Sequence, residues 1–284
     1  MLNVKTGLSL VWCLFWFAFA SDTPEQSKWI SKQEKEYISQ TKQITKYTEK
    51  IKTNTHVIPW RSLFTSLPVY AIMVANICSD WAYLLMATYV PTYLNDVFGF
   101  DFEYNGFISA ISSLPHAAAM LFSGRLSDFI LNRYLSRTKT RKLFNTTGMI
   151  VPAVLLLTLG YIDCSKPTLA VVILTAGMAI RGFRFSGYLV NSLDITPNFG
   201  GVVFSVTNSI SSISAYVALM ITSSITTNLS RQEWQIVFII TSAIEMFGSL
   251  FYLMFASTDV QSWNSTNKDE DKVSELTSDI VTHM

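Results

Sequence analysis

Charge is what this 284-residue sequence has least of: 14% of its residues are Asp, Glu, Lys or Arg, against about 25% in an ordinary soluble domain. Neither sign dominates, with 21 basic and 20 acidic residues, so there is no electrostatic footprint for nucleic acid. Cysteine is scarce too. Three of them make no disulfide framework, and none sits in a metal-ligand spacing. No nucleophile motif, paired catalytic carboxylates or His/Cys cluster stands out, so neither catalytic residues nor a bound cofactor are expected. Apolar residues are what it has in excess: 50% are hydrophobic, with 19 Phe and 7 Trp, and mean hydropathy is +0.32. That balance excludes a water-soluble enzyme and a disordered chain, and points to a protein whose partner is the lipid bilayer.

A helix needs about 20 mostly apolar residues to cross a bilayer core. Residues 62–86, 104–126, 145–162, 167–193, 201–225 and 234–256 meet that length. A seventh apolar run, 6–20, is short. It reads either as part of a span or, with Lys5 before it and Ala18-Phe19-Ala20 after it, as a secretory signal peptide. Positive charge near span ends stays in the cytosol. Segment 21–61 carries Lys28, Lys32, Lys35, Lys42, Lys46, Lys50, Lys52 and Arg61, and the loop before residue 145 carries Arg133, Arg137, Lys139, Arg141 and Lys142. Both lie on one side by parity, which resists the signal-peptide reading and places both basic segments in the cytosol. The opposite loops fit, since 89–103 holds Asp96, Asp101 and Glu103 without a basic residue.

The expected organisation is therefore a partial span at 1–20, a cytosolic linker at 21–61 with a surface helix near 31–47, a six-helix bundle at 62–256, and an acidic, disordered cytosolic tail at 257–284. Its last residues, Thr282-His283-Met284, match the short C-termini captured by strand-adding domains, although an unbound tail is the simpler reading. Of three glycosylation sequons, Asn145 and Asn264 fall on the cytosolic side, and Asn228 lies outside but close to a span.

At the inner end of the second full span, Gly124-Arg125-Leu126-Ser127-Asp128 precedes the basic loop. It resembles the G-x-L-x-D signature of the major facilitator superfamily, in which Gly124 allows helix contact and Asp128 caps or pairs with loop arginines. An ordinary capped helix end is the other reading. Longer stretches are similar to the anion:cation symporter family, whose members include sialin, vesicular glutamate transporters and sodium-dependent phosphate transporters. They are Ile58-Pro59-Trp60-Arg61, Thr65-Ser66-Leu67-Pro68-Val69, Val74-Ala75-Asn76 to Asp80-Trp81, Pro91-Thr92-Tyr93, Asn105-Gly106-Phe107-Ile108-Ser109-Ala110, Arg141-Lys142-Leu143-Phe144-Asn145, Ser186-Gly187 to Asn191, Leu193-Asp194-Ile195-Thr196-Pro197, Glu233-Trp234-Gln235-Ile236-Val237-Phe238 and Gln261-Ser262-Trp263-Asn264.

The resemblance implies an all-α membrane fold of the major-facilitator type, with twelve spans in two halves and the site at the midplane between them. On that frame the short first run corresponds to helix six and the rest to helices seven through twelve, so the chain reads as a C-terminal half. The implied function is secondary transport of a small organic or inorganic anion, coupled to Na⁺ or H⁺, in a plasma, endolysosomal or vesicular membrane. The alternative is a half-transporter that is inert, or that binds a second half-bundle or a full-length relative.

An ionisable group at mid-bilayer costs about 2.5–3.5 kcal/mol on insertion scales, so it faces a cavity or a partner. Arg181 and Arg184 fall mid-span at i and i+3, sharing a helix face. They read either as an anion-binding pair or as a pair held by Asp80 or helix-end carbonyls. Both depart from the small residues usual for the family there. Asp80, one turn after Asn76, is a coupling-ion or proton group or an ion-pair partner of Arg181. Ser79 departs from the basic residue that vesicular glutamate transporters carry at that place. His116 is a proton site or a hydrogen-bonded packing residue. Glu245, mid-span, is expected to be structural, either protonated or turned toward Thr241 and Ser249. Of Thr207, Asn208, Ser211 and Ser212, most are expected to join helices, with Asn76 and Asn208 kept as substrate-binding candidates.

Overall fold

The computed structural model describes residues 2–21, 26–27, 30–36, 38, 58–100 and 102–264. Within the expected surface helix, 32–36 and 38 are helical; the rest of that helix, the acidic tail beyond 264 and its C-terminal motif lie outside the described residues. The chain divides into two units, one of them Ile58–Thr266. The other contains α1 (Leu2–Phe19), whose residues Ser9–Phe19 form an apolar helix shorter than a span.

Unit Ile58–Thr266 is a helical bundle. It comprises α2 (Trp60–Leu63), α3 (Leu67–Phe98), α4 (Phe102–Arg133), α5 (Arg137–Gly160), α6 (Pro167–Arg181), a 3₁₀ turn (Gly182–Ser186), α7 (Tyr188–Ile195), α8 (Gly200–Ile225) and α9 (Arg231–Phe255). No strand occurs among the described residues. Counting α6 to α7 as one unit, five helices among the described residues are long and apolar enough to cross a membrane. The 32-residue α4 is long enough, at about 48 Å, but is not among the five; its polar residues include Asn105, His116, Arg125 and Asp128.

Several boundaries shift from the sequence expectation, each for a tertiary reason. The loop expected at 89–103 is mostly helix, because α3 continues through Pro91 to bury Tyr93 and Leu94. There Tyr93 packs edge-on against Trp234 and Phe238, with ring centroids 5.5 and 4.8 Å apart. The basic loop shrinks likewise: Arg137, Lys139, Arg141 and Lys142 lie in the first turns of α5. Cations at a helix N-terminus oppose its dipole, and Asp194 supplies the compensating charge described below. Residues 257–264, expected to belong to a disordered tail, are instead tied to the bundle. Gln261 N–H donates to Ile195 O at 2.9 Å, and the Asn264 side chain accepts from Asn198 N–H at 3.0 Å. Prolines open α3 and α6, where their missing N–H has no helical acceptor to lose. A reciprocal capping box between Ser230 and Glu233 opens α9.

In the bundle α3 packs mainly on α8 and α9, α9 on α5, α5 on α6, and α6 on α4. Two apolar clusters fill it end to end. One holds Leu85, Tyr93, Leu156, Leu159, Trp234 and Phe238; the other holds Ile72, Ala75, Met149, Tyr188, Val203 and Tyr252. Between them along α3 and α9 come Ser79, Asp80 and Glu245, a polar layer across the middle of the bundle. Lipid tails are as apolar as leucine, so burial alone does not draw helices together in a membrane; packing and hydrogen bonds do. Leu121, Ile213, Met220 and Met254 point outward and are exposed.

Candidate functional site

The polar layer is organised by a break in the helix that follows α5. After Arg181 the α-helix tightens into the 3₁₀ turn Gly182–Ser186 and resumes at Tyr188. Two glycines permit the close approaches this needs. A Cβ on Gly182 would lie 2.8 Å from Met120 N and 2.9 Å from His116 O on α4, and one on Gly148 of α5 would meet Arg184 N at 2.5 Å. The turn is therefore wedged between α4 and α5.

The two arginine side chains diverge. Residues i and i+3 share a face in an α-helix and eclipse in a 3₁₀ turn, yet these long side chains reach different helices. Arg181 reaches α9, where Nη1 donates to Glu245 Oε1 at 2.5 Å and Nη2 to Oε2 at 3.0 Å. Arg184 reaches α3: its Nη1 donates to Ser79 Oγ, to Asp80 Oδ1 at 3.5 Å and to Tyr188 O–H at 3.3 Å. Thus Asp80 pairs with Arg184 and not with Arg181. Glu245, expected against Thr241 and Ser249, takes Arg181 instead. The signal for this was arithmetic: two cations and two carboxylates at mid-span must be matched, and burial of an unpaired charge is what matching avoids.

Arg184 and Asp80 face a cavity of about 400 Å³, which is also lined by Asn76, Asn208, Ser212 and a run of aromatic side chains. Asp80 is fixed by two partners, since Ser211 O–H donates to its Oδ2 at 2.6 Å. The Arg184 guanidinium lies 5.1 Å from the Tyr83 ring centroid and 5.4 Å from that of Phe185, within the range of cation–π attraction. Of the sequence candidates, Arg184, Asp80, Asn76 and Asn208 converge here.

Four others do not. Arg181 lines a separate narrow crevice with Met86, Leu156 and Met178. His116 stands behind the cavity wall: its ring packs on Tyr83 and Phe185 at 5.9 and 6.1 Å, and its Nδ1–H donates to Met178 O at 2.8 Å. Gly124 and Asp128 lie within α4 near its end. Asp128 is exposed, and among the described residues it is in no salt bridge. The pairing expected of it belongs to Asp194, which accepts from Arg141 Nε at 2.6 Å and lies 3.9 Å from Arg137. Arg141 also donates to Ser127 Oγ at 3.2 Å and Ser186 O at 3.1 Å. This ties α4, α5 and α7 together at one end of the bundle.

The sequence reading missed the aromatic wall of Tyr83, Phe185 and Tyr188. Tyr188 sits four residues after Arg184, a spacing that puts both on one helical face, but the intervening break hid the relationship. Among the described residues, no group of three or more His, Cys, Asp or Glu could hold a metal ion.

Residues 4–218 match the family model described as Major Facilitator Superfamily. Sialin of Ovis aries is 35% identical over 90% of this chain and 50% of its own length. Vesicular glutamate transporter 2 of Homo sapiens is 34% identical over 98% of this chain and 49% of its own. Vesicular glutamate transporter 3 of Danio rerio is 35% identical over 93% and 44%. The chain spans about half the length of the curated relatives it matches. Two of these relatives are named as transporters, and the apolar helices agree in making this a multi-pass membrane protein. With fold, polar layer and similarity in agreement, the chain belongs to the major facilitator superfamily.

Proposed function

We propose that this chain forms the wall of an anion-translocation path and works as a secondary transporter by alternating access, coupled to Na⁺ or H⁺. The observation that carries the proposal is the Arg184–Asp80 pair on an open cavity of about 400 Å³ in the middle of an otherwise apolar bundle. An intramembrane charge facing a cavity is a substrate or ion group by default. In this scheme Arg184 draws the anion, and Asn76 and Asn208 orient it by hydrogen bonds. Asp80 exchanges its bond to Arg184 for the coupling ion when the anion arrives. His116 supports the wall through Tyr83 and Phe185. The basic turns of α5 and the linker at 21–61 face the cytosol, following the positive-inside tendency. The membrane is that of the cell surface or of an endolysosomal or vesicular compartment.

Reconstitution into liposomes, with labelled sialic acid, glutamate or phosphate outside and an imposed Na⁺ or H⁺ gradient, tests it. Uptake above empty vesicles that collapses with the gradient is the expected result; uptake no greater than in empty vesicles overturns it. A second reading has an observation of its own. Tyr216 lines the cavity yet is 67% exposed, so the cavity is open on the α8 side, where the facing half of a family member lies in a two-half transporter. On this reading the chain acts as a half-bundle bound to a second copy or to a full-length relative. Co-purification with a twelve-span relative, without uptake by the chain alone, favours it.

A further inference from the structure

The helices that wall the cavity are tied together at one end by a segment the transport scheme does not use. After α9 the chain crosses that end of the bundle as residues 257–264 and closes in a 3₁₀ turn, Ser262–Asn264. The Gln261 backbone N–H donates to Ile195 O at 2.9 Å, and the Gln261 side chain accepts from Ser66 O–H at 3.1 Å. Asn264 engages Asn198 twice: its Oδ1 accepts from the backbone N–H at 3.0 Å, and its carbonyl accepts from Nδ2 at 2.8 Å. The hydroxyls of Thr258 and Thr138 lie 2.7 Å apart and share a bond.

These partners sit at the ends of particular elements. Ser66 is the N-cap of α3, Ile195 is the last residue of α7, and Asn198 lies in the turn that opens α8. Residues of those three helices line the cavity. Thr138 stands in the first turn of α5, next to Arg137, which faces Asp194. The contacts also have a local cause. α7 is only eight residues long, and the last carbonyls of a helix find no donor within it. Gln261 supplies one for Ile195.

The segment is held mainly by hydrogen bonds, with Trp263 half-buried against Phe199 at a centroid distance of 6.3 Å. Ser66, Thr258 and Asn264 are buried, while Asp259, Val260 and Ser262 are exposed. A bond at the wet end of a bundle exchanges for one to water, so each weighs only about two- to tenfold in an equilibrium. A segment held in this way lets go and returns. Opening the cavity toward this end requires the ends of α3, α7 and α8 to part, and residues 257–264 bridge all three.

Resting on the proposed function, we infer that residues 257–264 form a releasable strap that restrains the cavity walls at this end and sets how often they part during transport.

The test reads the separation of two of the strapped ends directly. Nitroxide labels go on Leu67→Cys at the start of α3 and Gly201→Cys at the start of α8, in the full chain in liposomes. Leu67 is exposed, and a Cβ on Gly201 meets nothing within 4 Å. Cys13→Ser and Cys164→Ser remove the exposed thiols. The release variant combines Thr258→Val, Gln261→Ala and Asn264→Ala, which together delete three side-chain bonds of the strap. Dipolar spectroscopy is expected to show a longer-distance population at least about fivefold larger than in the parent, the scale of several lost bonds. Initial glutamate, sialic acid or phosphate uptake, whichever the parent shows, is expected to rise at least about twofold, as when opening limits the cycle. Thr258→Ser alone keeps the hydroxyl and is expected to match the parent in both. If the triple variant fails to fold, Gln261→Ala alone, at a half-buried position, reads the same distance. Unchanged distances in a folded release variant overturn the strap as a restraint. Longer distances with unchanged uptake overturn its control of the cycle. Absence of uptake by the parent counts against the proposed function and not against the restraint, which the distances then decide.

Discussion

Arg181 and Glu245 face each other across the bundle as a two-pronged ion pair, with both N–H···O contacts at 3.0 Å or less and neither side chain more than 3% exposed. Such a pair joins the helix before the 3₁₀ turn to α9. It is strong only while complete, since removing one member strands a buried charge. Glu245→Gln is expected to destabilise the protein by about 3–5 kcal/mol, while Arg181→Met combined with Glu245→Leu recovers most of that loss. Thermal unfolding of the three variants in one detergent checks the order. A single variant as stable as the double contradicts the buried pair.

The same pair makes a functional prediction. Arg181 lines a crevice apart from the cavity that Arg184 lines. The folded Arg181→Met/Glu245→Leu protein therefore keeps the anion affinity of the parent within about twofold, as expected for sites that share no partner. A loss of about tenfold, the scale of a lost charge-assisted bond, would place Arg181 in the binding machinery after all.

At the end of the bundle where α4, α5 and α7 meet, Asp194 holds Arg141 at 2.6 Å while Arg141 spans Ser127 and the Ser186 carbonyl. Asp194→Asn keeps the shape and removes the charge. The expected cost is about 1.5–3 kcal/mol, that of a hydrogen bond to a charged group, read as a lower melting temperature. A thiol placed at the buried Ser127 should also react faster with a polar reagent in the Asp194→Asn background. An unchanged labelling rate counts against this latch.

The sequon at Asn228 is expected to stay unmodified. Its Nδ2 donates to Glu233 Oε1 at 2.8 Å and its backbone N–H to Oε2 at 3.0 Å, so the acceptor nitrogen is engaged in the cap that starts α9. Endoglycosidase treatment should leave gel mobility unchanged. Glu233→Ala frees the nitrogen and is the variant in which a glycan, if this loop is luminal, should first be seen.

Asp163, in the loop between α5 and α6, accepts the Ser165 backbone N–H at 2.9 Å, and that bond holds its carboxyl below the ordinary 3.8. A depressed carboxylate favours the folded form above its unfolded pKa, and that contribution fades as pH falls through the folded value. Since the group is fully exposed, the effect is small and belongs to the acid side of pH 4. Asp163→Asn should therefore match the parent's melting temperature at pH 3 and fall slightly below it at pH 6. The reverse order refutes the bond's sign.

What the sequence alone determined follows from the bilayer. With no water to satisfy backbone groups, an apolar run of sufficient length has to be a helix. Segments such as 201–225 and 234–256 were legible to within a few residues of α8 and α9. The ordered motifs carried the family by the same route, because they are local. Helix extension was not legible, since α3 runs past Pro91 only because Tyr93 finds Trp234 and Phe238 from α9. Nor was the partition of charge. Four ionisable residues at mid-span announce that pairs must exist, but periodicity assigned Arg181 and Arg184 to one face. In the fold their side chains part, one to Glu245 and the other to Asp80. Pairing depends on which helices are neighbours and how each is rotated, and those are set by contacts between residues far apart in the chain, such as Trp234 with Asp96, 138 positions away. Local pattern chose the rods; the packing of small residues at Gly148 and Gly182 against their neighbours chose which charges meet.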